Sequence, residues 1–215
     1  MAADRAGPEH GHDWVEIAGM LLLALAAVAT AWSSYQANRW NGEQVKASSR
    51  TNAIRIEAAR ASGLANAQQE VDVATFMQWV DAHALERTEL KDFYVKRFRK
   101  EFKPAFDAWI ATQPFENPSA PLTPFAMEEY RLAATAEAAR LDAEAEVSSA
   151  TVRRNIQRST NYVLAVVLFA VALFFAGMSA KLRTPGTRKA LLIFGWIVFL
   201  GAVAWIATFP VSVSV

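Results

Sequence analysis

Three apolar runs without a charged residue constrain this chain more than any other feature. They occupy residues 17–32, lengthened by Trp14 and Val15, then 163–180 and 190–209. Runs of ~16, ~18 and ~20 residues suit helices that cross ~30 Å of hydrocarbon at ~1.5 Å per residue. The expected fold class is an all-α membrane protein. Three transmembrane helices carry a long antiparallel helical stalk and a small helical head, inserted between spans one and two. The predicted segments are a disordered tail (1–13), a first transmembrane helix (14–33) and a stalk and head (34–160) that include a proline-rich loop (112–124). A second transmembrane helix (161–180), a basic hairpin turn (181–189), a third transmembrane helix (190–209) and a short tail (210–215) follow.

A cleaved secretory signal is the alternative for the first run, and would leave a mature start near Ser33 or Ser34. Such signals have a basic leading region. Here Asp4, Glu9 and Asp13 outnumber Arg5, so the run is read as a retained span.

Between the spans the chain is polar and balanced. Residues 34–160 hold equal numbers of basic and acidic side chains, and the whole chain has a net charge of +1. That balance argues against nucleic acid as the main partner. The absence of cysteine excludes disulfides, thiolate metal sites and cysteine nucleophiles. From Gln36 to Gln69 there is no proline and the apolar positions are mostly alanine, so the first span is expected to continue as a long helix. Leu90, Tyr94, Phe98, Phe102, Phe106 and Ile110 recur every four residues, which stacks them on one slowly rotating helix face. Pro104 lies inside that pattern and is expected to kink or break it. Thr123–Pro124 reads as a helix start, with Leu122 and Met127 as a hydrophobic staple. From Phe125 to Ala180 only Gly177 interrupts the helical pattern, again over an alanine-rich stretch. Two such helices are expected to pair antiparallel as a coiled coil, with an aromatic head at 73–125.

Aromatic residues near the span ends, Trp14, Trp32, Tyr35, Trp40, Tyr162 and Trp205, are candidate membrane-interface anchors. The short turn carries Lys181, Arg183, Arg188 and Lys189 and no acid, which by the positive-inside rule places it in the cytoplasm and the head outside. Arg39, Lys46, Arg50, Arg153, Arg154 and Arg158 at the stalk base pull the other way, so the head is only slightly favoured outside.

Candidate chemistry is sparse. His10, His12, Asp13 and Glu16 are potential metal ligands, read as a solvated tail and a helix cap rather than a metal site. His83 is isolated. No Ser/His/Asp set, phosphate-cradling glycine loop or nucleotide fingerprint is present, and the second and third spans hold no ionisable group to relay a solute. No enzymatic activity, catalytic residue or cofactor is expected. Lys91, Lys96, Arg97, Arg99, Lys100 and Lys103 interleave with Phe93, Tyr94, Phe98 and Phe102, a candidate lipid or partner surface set against the plainer reading of a solvated face over a core.

The segments 31–37 (AWSSYQA) and 40–44, together with 106–109 (FDAW), 124–127 (PFAM), 167–170 (VLFA) and 174–177 (FFAG), resemble a family of uncharacterised bacterial inner-membrane proteins. The resemblance implies the bacterial inner membrane and the same order of span, stalk, span and span. It implies no activity and no site residue. The functional expectation is a non-enzymatic assembly or interaction protein, partnered by the lipid bilayer and by a second copy or another membrane protein. A sensor of an unknown small ligand bound in the head and an oligomeric channel are the alternatives.

Overall fold

The computed structural model describes residues 14–212. The predicted tail 1–13, the candidate ligands His10, His12 and Asp13, and the last three residues lie outside that range. Among the described residues the chain is helical, with no strand. Helix α1 spans Trp14–Ala84, α2 Thr88–Val95, α3 Lys103–Ala111, α4 Ala133–Lys181 and α5 Pro185–Ile206. A single 3-10 turn, Pro124–Ala126, lies between α3 and α4.

The chain divides into two compact units. One takes the residues up to Ser48 and those from Ala150; the other is Ser49–Ser149. α1 is an unbroken helix of 71 residues, as the absence of proline leads one to expect. It ends with Glu86 at a left-handed φ of 55°. There the Arg87 N–H donates to Ala82 O at 2.9 Å and the Glu86 N–H to His83 O at 3.0 Å, the paired bonds of a Schellman stop.

In the first unit, α1, α4 and α5 pack around Leu22, Ala26, Ala165, Phe169, Ala172, Ala176, Leu192, Phe199 and Ala202. Small residues let the helices approach closely. A Cβ on Gly195 would meet Leu22 Cδ2 at 3.1 Å and the Ala172 carbonyl at 3.5 Å. Ala172 and Ala176 are buried, whereas Ala27, Ala31 and Ala180 face outward. α1, α4 and α5 are each long enough and apolar enough to cross a membrane.

In the second unit, with Phe76 buried beside it, one inward stripe of α1 runs through Thr51, Ile54, Ala58, Ala61, Ala65, Gln68, Asp72, Thr75, Trp79 and Ala82. Their spacing alternates three and four. Ala134, Ala138, Leu141, Ala145 and Ser148 of α4 repeat it. Thr51 Oγ1 and Ser148 Oγ are hydrogen-bonded at 2.7 Å, and the Arg55 guanidinium donates to Ser149 Oγ at 3.1 Å.

Three sequence expectations are corrected. The four-residue aromatic repeat does not lie on one helix: α2 stops at Val95, and residues 96–102 turn before α3. Pro104 sits in the first turn of α3, where its missing N–H costs nothing. The second long helix begins at Ala133 rather than Thr123, because Met127 is extended (φ −78°, ψ 146°). The intervening segment lays Phe125, Met127 and Tyr130 on the aromatic core, which successive helical residues could not all face. Leu122 is 93% exposed and forms no staple, and Thr123 makes no side-chain cap bond. Finally, the turn expected over 181–189 is shorter: Pro185 and Gly186 open α5, which leaves 182–184 as the link.

Candidate functional site

The head is organised by rings. Phe76 and Trp79 of α1, Phe98 and Phe102 of the turn, and Phe106 and Trp109 of α3 are all buried together, with Tyr94, Phe125, Met127 and Tyr130 around them. Phe102 is fully buried. It stacks on Phe125 with 5.2 Å between centroids and meets Phe98 edge-on at 4.9 Å. Such pairs add about 0.5–1.5 kcal/mol each beyond the area they bury. Loop 112–124 is tied back to this core: Trp109 Nε1 donates to Pro121 O at 2.7 Å, and Asn117 Nδ2 to Thr112 O at 3.2 Å.

One charge lies at the edge of the ring cluster. Asp72 has no exposed surface. Its Oδ2 accepts from Arg99 Nη1 at 2.8 Å and from the Tyr130 hydroxyl at 3.1 Å, while Oδ1 has no partner among the described residues. Arg99 also pairs with Glu101, whose Oε1 accepts the Ala133 N–H at 3.0 Å and so closes the first turn of α4. Burial pushes the Asp72 carboxyl above the ordinary aspartate value, against the pull of Arg99 and Tyr130. The Tyr130 hydroxyl is pushed upward too, by burial first and by the Asp72 charge second. Asp72 faces the segment before α3 and the approach to α4 rather than solvent. The network fixes three turns of chain to one another: α1, the segment before α3 and the approach to α4.

The six residues of the candidate basic surface are not gathered into one face. Arg99 turns inward to Asp72. Lys103 donates to both carboxylate oxygens of Asp107 at 2.8 and 2.9 Å. The Arg97 guanidinium lies 3.6 Å from the centroid of the Phe93 ring. Lys91 lines a separate cleft with Trp79, His83 and Phe115. Lys96, Arg97 and Lys100 are the exposed members of the set without an ion pair among the described residues.

The candidate interface anchors divide as well. Trp14, Trp32 and Tyr35 are exposed, and Trp205 is half-buried against Phe209 at 4.9 Å. Trp40 and Tyr162 face inward instead: both are buried, and both donate to the Pro210 carbonyl, at 3.2 and 3.3 Å. The Ser212 N–H donates to Oε1 of the fully buried Gln36 at 3.0 Å, and Ser159 Oγ donates to Ala37 O at 3.0 Å. Arg158 covers the Trp40 ring at 4.4 Å. The segment after α5 thus closes one end of the apolar unit through polar bonds. Sequence reasoning missed this closure, because its acceptor is a main-chain carbonyl that any residue type supplies. Of the basic turn, Lys181 ends α4, Arg183 is in the link, and Arg188 and Lys189 lie in α5. Arg188 lines a cleft of about 240 Å³ with Glu16 and Ser179. Among the described residues no group of three or more His, Asp or Glu side chains is placed to hold a metal. Comparison with protein-family models, curated proteins and solved structures finds no match to this chain.

Proposed function

We propose that this chain is a multi-pass protein of the bacterial inner membrane, in which a helical stalk and head serve assembly or interaction without catalysis. Residues 14–33, 161–180 and 190–209 cross the bilayer in this reading. The observation that carries it is the presence of three helices long and apolar enough to span. Beyond the bilayer, α1 and α4 continue as an antiparallel coiled-coil stalk. The alternation of three and four along both helices supports this, since a 3.5-residue repeat keeps one seam facing a partner helix. So do the Thr51–Ser148 bond and the packing of Ala65 against Leu132 and Ala134, since a later position on α1 meets an earlier one on α4. The sealed Asp72 network supports a structural use of the head's buried charge. The head lies outside the cytoplasm, by the basic turn at Lys181, Arg183, Arg188 and Lys189. Outward-facing Ala27, Ala31 and Ala180 support lateral packing with a second copy or another membrane protein.

The test is topology. Ser119 is exposed in the loop and the chain has no cysteine, so Ser119→Cys gives a single reporter. A membrane-impermeant maleimide is expected to label it in intact cells. Labelling only after lysis overturns the orientation, and release of the protein from membranes by alkaline wash overturns the membrane reading itself.

A further inference from the structure

The head has a cleft that the stalk, the aromatic core and the Asp72 network leave unused. It holds about 260 Å³ and is walled by Trp79, His83, Lys91, Ile110, Phe115 and Glu116, among others. Three of these form a ladder of nearly parallel rings. Trp79 and His83 are 5.2 Å apart at 12°, and His83 and Phe115 are 4.4 Å apart at 22°. The outer rung, Phe115, is 58% exposed, and Ile110 beside it is 37% exposed. Keeping an apolar ring at the surface is unfavourable unless something covers it. Yet the loop is built to hold it there. Gln113 adopts a left-handed φ of 54°, and Thr112 Oγ1 donates to Trp109 O at 2.7 Å just before it.

The polar side of the cleft is equally incomplete. Lys91 is half-buried and has no ion pair among the described residues, while Glu116 is the sole acid of the lining and is exposed. A half-buried ammonium with no carboxylate paired to it can take an anion as its partner. The volume is below the roughly 300 Å³ at which drug-sized pockets begin, which limits the occupant to one or two rings.

We propose that this cleft binds a small planar aromatic carboxylate, with its ring against Phe115 and Ile110 and its carboxylate on the Lys91 ammonium. This site stands independently of the assembly reading. It is tested on the full chain in lipid nanodiscs by saturation-transfer NMR, with indole-3-carboxylate as the probe, indole-3-carboxamide as its neutral counterpart and empty nanodiscs as the baseline. A saturable carboxylate signal above the baseline is expected. Lys91→Gln should weaken the carboxylate about ten-fold and leave the carboxamide unchanged. Phe115→Ala should weaken both. Both side chains reach the surface, and unchanged thermal melts verify that the variants fold. Absence of a saturable signal above empty nanodiscs, or equal carboxylate affinity in wild type and Lys91→Gln, overturns the proposal.

Discussion

Replacing Arg99 with methionine removes the cation bonded to Asp72 and leaves a carboxylate with no exposed surface whose remaining partner among the described residues is the Tyr130 hydroxyl. Breaking a buried pair in this way costs about 3–5 kcal/mol. The carboxyl escapes part of that cost by taking a proton. At pH 7 the loss is therefore bounded near 1.36 × (7 − 3.8), about 4 kcal/mol, where 3.8 is the ordinary aspartate value. For a chain of this size that lowers Tm by roughly 8–16 °C. Asp72→Asn behaves differently. It removes the buried charge that the fold holds unfavourably, keeps an acceptor for Tyr130, and leaves Arg99 beside Glu101 with a quarter of its side chain exposed. Its cost is expected to be about 1 kcal/mol or less. Combining it with Arg99→Met should restore most of the single-variant loss.

The sign with pH follows from the raised carboxyl. Between 3.8 and its higher native value, Asp72 binds its proton more tightly folded than unfolded. Its contribution to stability is therefore fully present below 3.8 and falls as pH rises through that window. Arg99→Met extends the window upward, so its deficit is smallest in acid and grows toward neutrality. Far-UV melts of the full chain in detergent across pH read both effects. Equal losses for Arg99→Met and Asp72→Asn at neutral pH, or a deficit independent of pH, would refute the reasoning.

Three other substitutions have defined outcomes. Phe102→Ala empties a fully buried ring site and should cost about 3–5 kcal/mol, read as a lower Tm; a loss under about 1 kcal/mol would mean the core is not packed around it. Glu86→Gly relieves a left-handed non-glycine stop and should gain about 0.5–1 kcal/mol, so a lowered melting temperature counts against the assigned helix end. Trp40→Phe keeps an aromatic ring but loses the indole N–H and its bond to Pro210, which at about 1 kcal/mol should speed digestion of the segment after α5 by carboxypeptidase; an unchanged rate would contradict the closure.

What could be read beforehand follows from the kind of force involved. The three apolar helices and the unbroken α1 were legible because hydrocarbon-like runs and missing prolines are local properties. The seam of α1 was less so: Thr51, Gln68, Asp72 and Thr75 occupy inward positions, and a hydrophobic count passes over them. The aromatic repeat misled because Phe98, Phe102 and Phe106 do converge, but through a reversal at 96–102 that no spacing announces. Residues 127–132 satisfy helix propensity and yet are drawn out of it by Tyr130 reaching Asp72, 58 positions away. Trp40 and Tyr162 looked like headgroup anchors, and their acceptor, the Pro210 carbonyl, is a tertiary partner that only the fold reveals.

Two of the chain's seven tryptophans, Trp79 and Trp109, lie in the head, with 6.2 Å between ring centroids at an angle of 78°. Two indoles so close and so steeply inclined exchange excitation. They should give a paired positive and negative band in circular dichroism that no distant pair can mimic. Losing either ring or their mutual angle erases the signal, and among the described residues no two indoles of the apolar unit are in ring contact. The head thus carries an optical gauge of its own folding, and one spectrum followed with temperature distinguishes whether it loosens before the apolar unit or together with it.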